Sequence, residues 1–119
     1  MVTKALSAAE RLAAEGISVE VVDPRTLAPL DVKTIVGSVQ RTGRVVLVDQ
    51  APRHSSAAAV IAGEIAEHAF GSLQAPVRMV TALDAPIPYS ETLENYVVPN
   101  EEKIVQAVRS VMAHKAAAA

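Results

Sequence analysis

The chain has 119 residues, half of them apolar, with 11 Lys and Arg against 13 Asp and Glu and no cysteine. That length suits one domain with a modest core. A net charge of −2 offers no basic face to nucleic acid or an anionic membrane, and disulfides and thiolate metal sites are excluded. No apolar run reaches the roughly 20 residues of a membrane helix. The opening Met1 to Lys4 has no signal-peptide core and no Arg-rich transit character, so a cytoplasmic setting is expected.

Residues 3–15 predict an amphipathic helix, with Leu6, Ala9, Leu12 and Ala13 on its inner face and Lys4, Glu10 and Arg11 outside. Gly16 is a left-handed stop. Ile17 to Val22 alternates and is β-branched, which predicts a strand. Asp23 ends it, Pro24 and Pro29 stiffen the loop, and Asp31 caps a helix over 32–40 with Ile35, Val36 and Val39 as its apolar stripe. Gly43 closes that helix, and 44–48 predicts a buried parallel strand. Ser55 or Ser56 caps a long helix to about Phe70, with Val60, Ile61, Ile65 and Ala69 inward. Val77 to Thr81 predicts a third strand. A proline-marked excursion fills 82–100, where Pro86, Pro88 and Pro99 block regular ladders. Asn100 then caps a last helix, whose positive end suits Glu101 and Glu102 and whose inner face carries Ile104, Val105, Val108 and Val111 or Met112. Residues 1–114 form the expected domain, and 115–119 a disordered alanine-rich tail.

Alternating helices and strands specify a three-layer α/β/α domain with a mostly parallel sheet and right-handed crossovers. Phe70, Tyr89 and Tyr96 are the only aromatic residues, so the core is aliphatic, as parallel sheets buried on both faces are.

Few residues suggest chemistry. His54 follows strand 44–48, at the carboxyl end where open sheets place ligands, with Asp49 and Arg53 close in sequence. A lone loop histidine is more often structural. His68 suits a helix C-terminus, His114 lies near the tail, and the three histidines have no metal-ligand spacing. Ser55-Ser56 lacks the glycines of a nucleophile elbow, and capping explains it. The five scattered glycines form no dinucleotide or P-loop fingerprint. Turn and cap roles account for Asp23, Asp31, Asp49 and Asp84. No catalytic, cofactor-binding or metal-binding residue is assigned.

Two passages carry a family resemblance: Val21-Val22-Asp23-Pro24-Arg25-Thr26-Leu27-Ala28-Pro29-Leu30-Asp31, and Ala75 to Thr81 followed by Asp84-Ala85-Pro86-Ile87-Pro88-Tyr89, Leu93-Glu94 and Pro99. Together they resemble the C-terminal, transketolase-like domain in the beta subunit of a thiamine-diphosphate-dependent 2-oxo acid or acetoin dehydrogenase. The resemblance implies a parent α2β2 enzyme that decarboxylates a 2-oxo acid, such as pyruvate or a branched-chain one, or cleaves acetoin. It passes the acyl group to lipoyl arms. Thiamine diphosphate and Mg²⁺ belong to other domains of that parent. This domain then serves assembly, contacting the alpha subunit, the second beta subunit and the small subunit-binding domain of the acyltransferase. Alone it is expected to be inactive. Asp84, Tyr89, Glu94 and Tyr96 are the candidate interface residues, with Arg53 and His54 behind them. Tyr89 and Leu93 are expected to pin the loop to the body.

The resemblance also implies a strand ahead of the first helix, lying between 17–22 and 44–48, that these residues do not include. Direct pairing of 17–22 with 44–48 closes such a gap, as does a strand borrowed from another chain. Otherwise the sheet stays incomplete, and an open edge favours self-association. Two rivals are the matching domain of a deoxyxylulose-phosphate synthase or 2-oxo acid:ferredoxin oxidoreductase, and a stand-alone α/β ligand-binding domain. The last requires a formed pocket near His54 and an intact sheet edge.

Overall fold

A computed structural model describes residues 1–115; of the expected alanine-rich tail, only Lys115 falls among them. Five α-helices and two strands are formed in these residues: α1 (Val2–Ala14), α2 (Val32–Thr42), β1 (Val46–Pro52), α3 (Ala57–Ala69), β2 (Arg78–Ala82), α4 (Glu91–Val97) and α5 (Glu101–Ala113). Strands β1 and β2 pair in parallel, Val46 opposite Arg78 and Val48 opposite Val80, with the register shifting before Pro52 meets Ala82. Helix α3 is the crossover between them.

Two apolar clusters sandwich the sheet. On one face Ala8 and Leu12 of α1 meet Ile104, Val105 and Val108 of α5, with Val46, Val48 and Val80 against them. On the other face Ile35 and Val39 of α2 meet Ile65 and Ala69 of α3, with Val45, Leu47 and Val77 against them. Neighbouring residues of β1 thus point to opposite helical layers, as the period of two in a strand requires. This is the expected α/β/α layering.

The caps follow their chemistry. Asp31 accepts from the Thr34 N–H at 3.0 Å, Ser56 Oγ from the Ala58 N–H at 3.0 Å, and Asn100 Oδ1 from the Lys103 N–H at 2.9 Å. Each satisfies a helix N-terminal donor that would otherwise lack a partner. Gly16 and Gly43 take the left-handed conformation, at φ 81° and 67°. Ser56, not Ser55, caps α3.

Four expectations need correction. Residues 17–22 form no strand, because their backbone has no neighbouring strand to pair with. Their side chains still alternate: Ile17 and Val19 pack on the α1/α5 cluster, Val22 on the α2/α3 cluster. The inner faces of α1 and α3 are rotated from those expected. Leu6 is 50% exposed and Val60 64%, whereas Ala8, Leu12, Ala58 and Ile65 are buried. Alanine reads weakly in a hydrophobic pattern, yet here it lets the helices approach the sheet. The excursion after β2 contains the helix α4, despite its prolines, because Pro86 and Pro88 both precede it. Tyr89 and Leu93 do not pin this loop, being exposed. The loop is held instead by Leu83 N–H donating to Val97 O at 3.1 Å and by the Lys103 ammonium donating to the carbonyls of Tyr96 and Val98.

A polar seam joins α1 to α5. Arg11 reaches Glu101 at 2.9 Å and Glu102 at 3.0 Å, Ser7 donates to Glu101, and Arg109 pairs with Glu15. Lys4 donates to the carbonyl of buried Pro99 at 3.0 Å.

Candidate functional site: the carboxyl end of the sheet and the loop after β2

Strand β1 runs into a single turn of 3-10 helix at Arg53–Ser55, and β2 runs into the loop that leads to α4. Because the strands are parallel, both connections emerge at the same sheet end. His54 and Asp84 meet there, Nδ1 to Oδ2 at 2.7 Å, and both side chains are largely exposed. Arg53 and Asp84 line one shallow surface groove of about 610 Å³, which continues along β2 to Lys103, Gln106 and Ser110 of α5.

Asp49 is not part of this pair. It accepts from Ser56 Oγ at 2.6 Å and from the Ala51 N–H at 3.2 Å. Burial pushes its carboxyl up, but the bonds from Ser56, Ala51, Ala58 and Ala57 outweigh that and hold it below its ordinary range. The Ser56 hydroxyl is buried and engaged with Asp49 and the start of α3. Ser55 Oγ bonds the carbonyl of Pro52 at 3.4 Å. Both serine hydroxyls therefore serve the turn, and His54 is turned to Asp84 rather than to either of them. The His54–Asp84 contacts brace the turn after β1 against the loop after β2.

The remaining interface candidates lie on the loop and on α4. Tyr89, Glu94 and Tyr96 are exposed, and Lys103 Nζ stands 5.8 Å from the centre of the Tyr96 ring. Leu83, Ile87 and Leu93 add exposed apolar area to the same segment. The sequence suggests no such exposure for Leu83 or Ile87 and places Leu93 as a pin against the body, although their position in a loop that cannot bury them was the available signal. Of the six candidates, the structure brings His54 and Asp84 into direct contact and places Arg53 beside the same groove.

Among the described residues, no group of three or more His, Cys, Asp or Glu is placed to hold a metal ion. Among the described residues, no helix is long and apolar enough to cross a membrane. A stand-alone ligand-binding domain calls for a formed pocket at His54 and a closed sheet; His54 is exposed, and residues 17–22 leave the sheet unclosed.

The chain is 46% identical over 112 residues to the beta subunit of an acetoin:2,6-dichlorophenolindophenol oxidoreductase from Cupriavidus necator, covering 94% of this chain and 33% of that protein. It is 42% identical to the pyruvate dehydrogenase E1 component subunit beta of Staphylococcus epidermidis, covering 94% of this chain and 34% of that one. The chain thus spans about a third of the length of these relatives. Among solved structures it superposes on a split gene transketolase, described as an inactive beta4 tetramer, with a TM-score of 0.81 and 30% identity over 97% of this chain and 36% of that one. Residues 1–104 match the family model of the transketolase C-terminal domain. The chain belongs to the transketolase C-terminal domain family.

Proposed function

We propose that this chain is the assembly domain of a beta subunit in the decarboxylase component of a 2-oxo acid or acetoin dehydrogenase. The observation that carries the reading is identity of 42–46% over 94% of the chain to beta subunits of those two enzyme types. The parent enzyme oxidatively decarboxylates pyruvate or a related 2-oxo acid, or cleaves acetoin, in the cytoplasm. Thiamine diphosphate, held on other domains, supplies its carbanion chemistry. The residues present here contribute recognition: an exposed, proline-braced loop with two tyrosines and apolar side chains between carboxylates.

Loops on a rigid scaffold are suited to recognition, and tyrosine anchors are enriched at interfaces. Tyr89 and Tyr96 are the anchors in this reading, with Asp84 and Glu94 as the polar rim and Arg53 and His54 bordering it. The partners are the alpha subunit, the second beta subunit and the subunit-binding domain of the lipoyl acyltransferase.

The test is calorimetric titration of the 119-residue chain with the purified alpha subunit and, separately, with the acyltransferase subunit-binding domain. Binding to at least one, weakened roughly tenfold or more by Tyr89→Ala or Tyr96→Ala with unchanged melting, supports the assignment. A folded chain that binds neither partner, or variants that bind as well as the parent, overturns it. Thiamine-dependent decarboxylation by the chain alone overturns it as well.

A further inference from the structure

Strand β2 has β1 on one side and, among the described residues, no strand on the other. The Arg78 N–H donates to Val45 O at 3.3 Å, so Arg78 and Val80 direct their peptide groups to β1. Alternation turns those of Met79, Thr81 and Leu83 outward. The Leu83 N–H has a partner there, Val97 O at 3.1 Å. Among the described residues, Met79 and Thr81 make no backbone–backbone hydrogen bond outside the ladder with β1. Their outward groups lie along the surface groove of about 610 Å³ that α5 walls on one side.

This groove is basic, in a chain whose net charge is −2. Arg53, Arg78 and Lys103 line it. Lys103 is committed to the carbonyls of Tyr96 and Val98. Asp84, the groove's one carboxylate among the described residues, is bonded to His54. Elsewhere Arg11, Arg25, Arg41 and Arg109 pair with carboxylates, and Arg44 donates to Val111 O and Gln74. The two arginines that no acceptor engages among the described residues, Arg53 and Arg78, therefore both border this groove. They stand at its two ends: Arg78 opens β2, and Arg53 follows Pro52, which lies opposite Ala82. Four strand steps separate these positions, roughly 13 Å. Arg78 shares its strand face with Val80, the face that α5 covers.

We infer that the outer edge of β2 docks an acidic, extended segment of another polypeptide, which adds to the sheet as a strand. Its carboxylates stand four residues apart on the side toward α5, one for Arg78 and one for Arg53. Main-chain bonds to Met79 and Thr81 fix the register, and charge-assisted bonds to the arginines select the sequence. Charge on a sheet edge discourages pairing with apolar strands, and here its sign admits an acidic one. A second copy of this chain is not the occupant. Pairing two β2 edges would gather Arg53 and Arg78 of both copies along one seam, and like charges across strands are destabilising. The site uses neither Tyr89 nor Tyr96.

The experiment adds a capped peptide, Thr-Glu-Val-Thr-Val-Glu-Thr, to the 119-residue chain at low ionic strength, where charge pairing is least screened. The peptide reads the same in both directions and so serves either strand orientation. One control replaces both Glu by Gln. A second replaces the central Thr-Val by Pro-Pro, which removes N–H donors. Affinity is read by NMR titration, with hydrogen exchange at the Met79 and Thr81 amides. The expected result is exchange at both amides slowed about fivefold or more near saturation, and affinity lower by about tenfold or more for each control. The double variant Arg53→Glu with Arg78→Glu is expected to prefer a Lys-for-Glu peptide, and Tyr89→Ala is expected to bind the Glu peptide as the parent does. Unslowed exchange overturns the inference. Equal binding of the Glu and Gln peptides overturns it too. A proline peptide that binds as well as the parent peptide also overturns it, since the arginines then attract any anion. A double variant that melts like the parent yet still prefers the Glu peptide has the same consequence. Should that variant fail to fold, the Glu-against-Gln comparison on the parent chain decides.

Discussion

His54 and Asp84 lie thirty residues apart in sequence, and two contacts join them: Nδ1 to Oδ2 at 2.7 Å, and the His54 backbone N–H to Oδ1 at 3.4 Å. The turn after β1 is thereby hooked to the turn after β2, at the end of the sheet where the loop to α4 departs. Exposed pairs of this kind contribute only about 0–1 kcal/mol. Asp84→Ala is therefore expected to leave global stability within about 1 kcal/mol while loosening the loop. Faster exchange at the Leu83 amide, which donates to Val97 O, checks this; unaltered exchange there would make the hook irrelevant to the loop.

Ser56 joins a different network with larger consequences. It is buried, donates to Asp49 at 2.6 Å and caps α3 through the Ala58 N–H. Ser56→Ala removes the cap and leaves the Asp49 carboxylate without its strongest donor. Loss of about 1–2 kcal/mol is expected in urea denaturation, whereas Ser55→Ala, at an exposed hydroxyl bonded only at 3.4 Å, stays within about 0.5 kcal/mol.

Gly43 and Gly16 make a controlled comparison. Both have positive φ, but a Cβ at Gly43 would lie 2.8 Å from the Gln74 side chain, while one at Gly16 meets nothing within 4 Å. Gly16→Ala tests backbone strain alone, about 1–2 kcal/mol. Gly43→Ala must also displace Gln74, whose Oε1 accepts from Arg44 at 2.7 Å. The second variant is expected to melt lower than the first; the reverse order would mean that Gln74 moves freely.

How far the sequence foretold these features depends on whether the cause was local. Caps and left-handed stops are local chemistry, and Asp31, Gly16, Gly43 and Asn100 were legible for that reason. The layering was legible from the alternation of element types. Residues 17–22 were misread because side-chain alternation reports which layers a segment touches, whereas strand formation needs a pairing partner, and no local pattern encodes that. Helix α4 was missed through weight given to prolines, although Ser90 before Glu91 and Glu94 is a helix-start pattern. The His54–Asp84 contact rests on the parallel register of β1 and β2, a long-range property that no spacing within either loop reveals.

Acid sensitivity follows from the carboxylates that the fold holds in ionised form. Ser7 and Arg11 lower the Glu101 carboxyl, Arg109 lowers Glu15, and Arg11 lowers Glu102, all at the α1/α5 seam. Asp49 is lowered despite its burial. A carboxyl whose folded pKa lies below its unfolded value binds fewer protons when folded, so its stabilisation is full above the unfolded value, about 4. That stabilisation is lost as pH falls through the folded value. Unfolding free energy from these groups is thus expected to hold between neutrality and about pH 5 and to decline below that. Arg11→Gln removes the donor to both Glu101 and Glu102 and should flatten the decline; Ser56→Ala should flatten it through Asp49. Urea titrations at several pH values from 7 to 3 decide the point. An acid limb as steep in both variants as in the parent would show that other carboxylates govern the loss.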